Sequence, residues 1–345
     1  MFSTSELDYF MALLYDESMM KLAPIVLFVY NRPEHTLKTI EALKKNLLAT
    51  ESDLFVFADG PKVVGDEKVQ AVREVIKNIT GFATVTVQTS DVNKGLANSV
   101  IAGVSQVLQQ YDRVIVLEDD IVTQRGFLTF MNQALSTYAH RDDIMSFGAT
   151  TFALKGVKQG TSDVVLLKRN CSWGWGTWAK EWSDVDWEMT DYQSFLSNPK
   201  AVDRFNEAGP DLFGMLQAQM NGKIDSWAVR WQYHHFKKQK RVVNPLFCLA
   251  SNIGMDGSGV HFTETIQDDY FRPLPLSDQI TFNMPATLKG NAKADRQYYV
   301  HFAKLGVGRS VKARIKLWAK IMVKGVLKRI GLFDWAKKAY RSQGK

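Results

Sequence analysis

From Pro24 onward, apolar and polar positions switch repeatedly between two periods. IVLFVY (25–30) is an unbroken apolar run, as in a strand covered on both faces. PEHTLKTIEALKKN follows with helical spacing through Leu37, Ile40 and Leu43. LFVFA (54–58) reads as a second strand, and 66–78 as a helix with Val69, Val72 and Ile76 on one face. TVTVQ (84–88), GLANSVIAGVSQVLQQ and RVIVL (113–117) continue the series as strand, helix and strand. Such alternation predicts right-handed crossovers and an α/β fold with a mostly parallel sheet flanked by helices.

Beyond Gly126 the pattern is less regular. It predicts a helix over 127–138, strands at IMSFGA and DVVLL, and helices near 199–207, 210–221 and 226–237. His234 and His235 are expected on the surface of the last of these. RVVNPLFCLASNIG reads as a strand leading into the glycine-rich loop GMDGSGVHF. The expected organisation is a helical extension at 1–22, the α/β domain at 23–265, an irregular linker at 266–296 and a basic amphipathic helical region at 297–345.

An apolar fraction of 46% and nine tryptophans suffice for a sizeable core in 345 residues. Cys171 and Cys248 form no CxxC pair, which fits a reducing compartment and argues against a zinc cluster. No apolar run reaches the length of a membrane span. The first twenty residues carry acids and no basic n-region, so a cytoplasmic location is expected. Residues 309–345 hold twelve Lys or Arg and one Asp, a local +11 within a whole-chain +7, so 1–308 carry −4. That balance argues against a nucleic-acid groove across the body.

In an open parallel sheet, ligands bind beyond the carboxyl ends of the strands. Those ends carry Asn31-Arg32, Asp59-Gly60, the group Asp91, Asn93 and Lys94, and the triplet Glu118-Asp119-Asp120. A lone Asp after a strand also serves as a turn or cap residue. Three adjacent acids are different, because they repel one another and burial of unpaired charge is costly. A hard divalent cation with oxygen ligands, Mn²⁺ or Mg²⁺, removes that difficulty, typically using one or two carboxylates plus substrate phosphates.

Four stretches, APIVLFVYNRPEHTLKTIEAL, FADG, NKGLANSVIAGV and VIVLEDDIV, resemble the GT-A fold of nucleotide-sugar-dependent glycosyltransferases over residues 23–265. The resemblance is to family-two glycosyltransferases and N-acetylglucosaminyltransferase I, which has the same Glu-Asp-Asp triplet. It implies Asp120 as metal ligand, Asp119 facing the ribose and Glu118 in support. It also implies Asp59 at the uracil edge, and Asn31, Arg32 and Lys94 near the donor.

An inverting transfer needs a carboxylate to take the acceptor's proton. The resemblance gives that role to Asp225 in KIDSWAVRW, although Ile224 stands where the family has an aromatic. The other reading of Asp225 is a helix N-cap, with Ser226 competing for that job. In CSWGWGTWAKEW, Trp175 and Gly176 resemble a Gly-Trp region beside the donor sugar; the other reading is a tryptophan-rich core corner. In GMDGSGVHF, Ser258 is a candidate phosphate contact and His261 a candidate metal ligand, or the segment is an ordinary turn.

In the tail, Lys312, Lys316, Lys320, Lys324 and Lys328 run beside Val311, Ile315, Trp318 and Met322. That pattern suits an anionic membrane surface; a helix packed on the domain and a nucleic-acid tail are the alternatives. The expected activity is a metal-dependent, inverting transfer of a sugar from a UDP-type nucleotide-sugar donor to a saccharide or lipid-linked saccharide acceptor, in surface polysaccharide or glycoconjugate synthesis. Two rivals are a sugar-phosphate nucleotidyltransferase and a non-catalytic membrane-associated module. NRPEHT lacks the glycine-rich phosphate loop that the nucleotidyltransferase requires.

Overall fold

The computed structural model of the chain describes residues 22–152, 154–157, 160–256 and 274–305. Strand β1 (Ile25–Val29) is buried along its whole length, as an apolar run inside a sheet must be. It pairs in parallel with β2 (Asp53–Ala58) on one side and β4 (Arg113–Glu118) on the other. Strand β3 (Thr84–Thr89) extends the sheet past β2. Helices α1 (Pro33–Lys44), α2 (Glu67–Ile76) and α3 (Leu96–Val107) connect them. Pro33 opens α1, where its missing N–H costs nothing, and the Asp66 carboxylate caps α2 by accepting from Lys68 N and Val69 N.

The second half adds β5 (Ile121–Thr123), α4 (Phe127–Thr137), β6 (Ile144–Gly148), β7 (Val164–Leu167) and β8 (Trp175–Trp178). Helices α5 (Ala179–Trp182), α6 (Tyr192–Leu196), α7 (Pro199–Phe205), α8 (Leu212–Met220) and α9 (Trp227–Lys238) follow. Strands β9 (Arg241–Pro245) and β10 (Ala250–Asn252) and helix α10 (Ala292–Leu305) complete the described chain. The main sheet has the order β3-β2-β1-β4-β8-β6-β9-β7, with β8 and β7 antiparallel to their neighbours. A small second sheet pairs β10 with β5. This is the mostly parallel, helix-flanked sheet that the alternating periods predict.

Two features of this topology position the site. The chain steps outward from β1 to β2 to β3 and then returns across β1 to β4. The crevice between the ends of β1 and β4 is therefore the topological switch point, where ligands of open α/β sheets bind. The strand period of two also sorts the core. Ile25, Leu27 and Val29 face a cluster with Ile40, Leu43 and Met131, whereas Val26 and Phe28 face one with Val100, Val104, Trp175 and Trp231.

The segment expected to be an irregular linker differs from that expectation in its described part, 274–296. Phe282, Met284 and Leu288 are buried in the main core. Its carbonyls are bonded from the body: Gln133 Nε2 donates to Phe282 O, Tyr138 Oη to Pro285 O, and Arg141 to Ala286 O and Leu288 O. Helix α10 starts at Ala292, and its Tyr298 Oη accepts from Phe152 N. With backbone polar groups satisfied by side chains, the strap packs tightly without regular structure. Residues 1–21 and 306–345 lie outside the described residues.

The histidines expected on a helix surface are also inside. His235 is fully buried between Ser146 Oγ at 2.7 Å and Trp231 O at 2.8 Å, and His234 stacks on Trp231. Burial lowers their pKa values, to about 3 for His235 and about 4 for His234.

Phe282→Ala should cost about 3 kcal/mol, since Phe282 packs edge-on against Phe130 and stacks on Phe247. Urea unfolding checks this, and the strap and sheet should melt in one transition.

Candidate active site

The ends of β1 and β4 meet through side chains 87 residues apart in sequence. Arg32, just before α1, places its guanidinium between two acids of the triplet. Nη2 bonds Asp119 Oδ1 and lies 2.9 Å from Asp120 Oδ2, and Nε reaches Asp119 Oδ2 at 3.4 Å. Thr39 Oγ1 on α1 donates to Asp119 O at 2.8 Å, and Ile253 N donates to Asp120 O at 2.9 Å. The second atom of the Asp120 carboxylate, Oδ1, is buried without a hydrogen-bond partner.

Gly254 closes this corner. A Cβ there would press on the Asp120 carboxylate and the Arg32 guanidinium, so a larger residue would have to displace those two side-chain ends. His35 Nε2, one turn along α1, lies 3.2 Å from Asp256 Oδ2.

The electrostatics follow from this packing. Burial disfavours charge on Arg32, but Asp119 and Asp120 outweigh it, and its pKa is raised. Burial raises the pKa of Asp119 despite Arg32. Glu118 is pushed up to about 8, by burial first and then by Asp120 and Asp119, against the opposing pull of Arg32 and a hydrogen bond with Trp227. One guanidinium thus leaves the triplet short of positive charge.

A second carboxylate centre lies beside the first, on the β2–β3 side. Asp59 Oδ1 accepts from Gly60 N at 2.8 Å and Lys94 N at 2.9 Å; Oδ2 accepts from Asn93 Nδ2 and Gly95 N, both at 3.0 Å. These four bonds engage the whole carboxylate and hold the turn before α3. Asp59, expected at the uracil edge, thus also organises the sheet edge within the chain. The Lys94 side chain is exposed next to it, beside a cavity of about 80 Å³ that Asp59 also lines.

Asp225 and Ser226 divide two tasks. Ser226 Oγ accepts from Val229 N at 3.3 Å and caps α9. Asp225 points elsewhere: its Oδ2 accepts from Ala97 N at 3.3 Å, in the first turn of α3. Its Oδ1 faces Arg230 Nη2 at 3.8 Å, and the side chain is 53% exposed. Two residues on, Trp227 reaches Glu118. The first turn of α9 thus touches the triplet and the turn held by Asp59 together.

The expected aromatic platform is elsewhere. Trp175 is only 2% exposed and stacks on Trp227 at 4.8 Å and Trp182 at 5.6 Å. Gly176 pairs with Ile115 and Phe147 inside the sheet. Both are corrected from donor contacts to core: all four residues of β8 are buried, with Trp227 and Trp182 over Trp175 on one face and Leu135 and Met131 beside Gly176 on the other. Trp175 supports the site from behind, through Trp227. Asn31 sits at the end of β1. Ser258 and His261 lie outside the described residues.

Sequence reasoning missed Trp227 as the partner of Glu118, Gly254 as the corner glycine, and Asn93 beside Asp59. Gly254 left a signal as part of the glycine-rich segment after β10, and Asn93 as part of the polar group after the third strand; Trp227 left none.

A divalent cation fits this corner in part. The orphaned Asp120 Oδ1 and the neighbouring Asp119 are the right donors, but Arg32 occupies their remaining oxygens. Among the described residues no three His, Cys, Asp or Glu are grouped to hold a metal.

No family model and no curated protein matches the chain. Among solved structures, it is similar to S. aureus TarS 1-349 at 11% identity, covering 68% of this chain and 61% of that one, with a TM-score of 0.36. It is similar to the galactosyltransferase LgtC in complex with donor and acceptor sugar analogs at 10% identity, covering 64% and 72%, with a TM-score of 0.36. The mannosyltransferase PcManGT from Pyrobaculum calidifontis, in complex with GDP-Man and Mn²⁺, shares 12% identity over 50% of this chain and 51% of its own, with a TM-score of 0.30. The chain thus spans less than two thirds of TarS 1-349 and about half of PcManGT. Similarity this remote assigns neither donor nor acceptor.

Trp175→Ala should cost about 3–5 kcal/mol of stability, as a core residue does and an exposed platform would not; urea unfolding distinguishes the two.

Proposed function

We propose that the protein is a GT-A glycosyltransferase that moves a sugar from a nucleoside diphosphate donor, of the UDP type, to a saccharide or lipid-linked saccharide hydroxyl. The observation that carries this reading is the convergence at the switch point: the end of β1 brings Arg32, the end of β4 brings the acid triplet, and the first turn of α9 brings Trp227 to Glu118, with Asp225 just ahead of it bonded to Ala97 N at the start of α3. A nucleoside diphosphate that arrives with a divalent cation suits such a corner: the ion would bring the positive charge that one guanidinium leaves short, and the ribose hydroxyls can donate to Asp119.

In this reading Asp119 meets the ribose, and Asn31, Arg32 and Lys94 steer the phosphates. Asp59 acts indirectly, by setting the Lys94–Gly95 backbone. Asp120, with Asp119, would hold Mn²⁺ or Mg²⁺, which offsets charge on the diphosphate when bound. Asp225 takes the acceptor proton, and inversion follows from a base on the face opposite the leaving group. Its half-exposed carboxylate, with Oδ1 free of any bond shorter than the 3.8 Å approach of Arg230, supports that role.

The basic region from 309 to 345 lies outside the described residues, and its placement on an anionic membrane surface is part of the proposal. So is a cytoplasmic setting in surface polysaccharide or glycoconjugate synthesis. No helix among the described residues is long and apolar enough to cross a membrane.

Hydrolysis of a panel of nucleotide sugars, with Mn²⁺ and with chelator, tests the assignment; a donor turned over only with metal is expected, and no turnover of any member sinks it. Asp120→Ala should abolish metal-dependent binding of UDP in calorimetry. Asp225→Asn keeps an acceptor for Ala97 N, so UDP affinity should hold while transfer falls about 10²–10⁴-fold in a single-turnover assay. Deletion from Arg309 should release the protein from anionic liposomes in a pelleting assay.

A further inference from the structure

Asp119 and Asp120 share one guanidinium, and that arrangement has the shape of a cation site already filled. Arg32 bridges both carboxylates, and its side chain is only 18% exposed. Gly254 packs directly against the ends of Arg32 and Asp120, where a Cβ would displace them. Yet the filling is incomplete: Asp120 is 7% exposed, and its Oδ1 has no partner. A planar fork can span two carboxylates but brings a single positive charge to them. A divalent ion brings two and binds oxygens from several directions.

We infer that Arg32 is a built-in counter-ion, which keeps divalent cations out of the acid triplet until an anionic ligand draws its guanidinium away. Three consequences follow. The protein alone binds Mn²⁺ weakly, because the metal must displace a bonded and largely covered cation. A diphosphate recruits Arg32 to its own oxygens and frees Asp119 and Asp120, so metal and diphosphate bind with positive coupling. The coupling is reciprocal, each ligand raising the other's affinity by the same factor. The exclusion of metal by Arg32 stands on the geometry alone; the diphosphate as releasing ligand rests on the glycosyltransferase reading.

The test is Mn²⁺ titration of the full chain, followed by electron paramagnetic resonance of free Mn²⁺, with and without UDP. Arg32→Gln should bind Mn²⁺ alone at least tenfold tighter than the unaltered protein, and Asp120→Asn in the same chain should erase that gain. UDP should raise Mn²⁺ affinity at least tenfold in the unaltered protein and distinctly less in Arg32→Gln. If removal of the guanidinium prevents folding, Arg32→Lys serves, because its single ammonium cannot span both carboxylates and should give an intermediate gain. The inference is overturned if neither variant binds Mn²⁺ more tightly than the unaltered protein, or if the gain survives Asp120→Asn. If UDP changes nothing while Arg32→Gln still binds metal more tightly, Arg32 is the excluding ion and the nucleotide reading is the part that fails.

Discussion

Repulsion among Glu118, Asp119 and Asp120 is the constraint around which this molecule is arranged. Adjacent carboxylates at the end of a buried strand destabilise the fold unless each is neutralised or bonded. Each of the three is handled differently. Asp119 and Asp120 hold Arg32 between them, and Glu118 is kept near neutrality by burial and by its two neighbouring carboxylates, against the hydrogen bond with Trp227 that favours its charged form. These contacts reach into α1, α9 and the chain after β10, so three separated stretches are fastened at one point. The switch-point topology makes this possible, because it sets the end of β1 beside the end of β4.

The same economy shows at α9. Asp225 and Ser226 are neighbours, yet one faces α3 and the other caps its own helix. Asp59 in turn fixes the turn that α3 starts from. The loop after β2 and the turn into α3 are thereby set by backbone hydrogen bonds to carboxylates, which are directional and strong. Loops fixed in this way form a rigid rim around a crevice, the condition for aligning two substrates.

The parallel half of the fold was legible because its two signals, apolar runs and helical spacing, are local. The strand ends were legible for the same reason: charge after an apolar run stands out. What stayed hidden depends on packing between distant residues. Nothing near Arg32 in sequence says that it meets Asp119. Trp175 and Gly176 look alike on a ligand or in a core, and only the packing of α9 and α4 on the two faces of β8 decides for the core. His234 and His235 lie in a helix whose polar text suggests a wet face, but both rings turn inward onto Trp231 and Ser146. The strap at 274–296 has no period, since its backbone is satisfied by Gln133, Tyr138 and Arg141 instead of by itself.

The stack of indoles behind the triplet has an optical consequence. Trp175, Trp182, Trp187, Trp227 and Trp231 lie with ring centroids 4.6–6.3 Å apart. Chromophores that close exchange excitation, so light absorbed by any of them is shared with Trp227. The emission of the group, and its near-ultraviolet dichroism, is therefore read out next to the Glu118 carboxyl, and the protein carries its own unlabelled fluorescent probe of that corner.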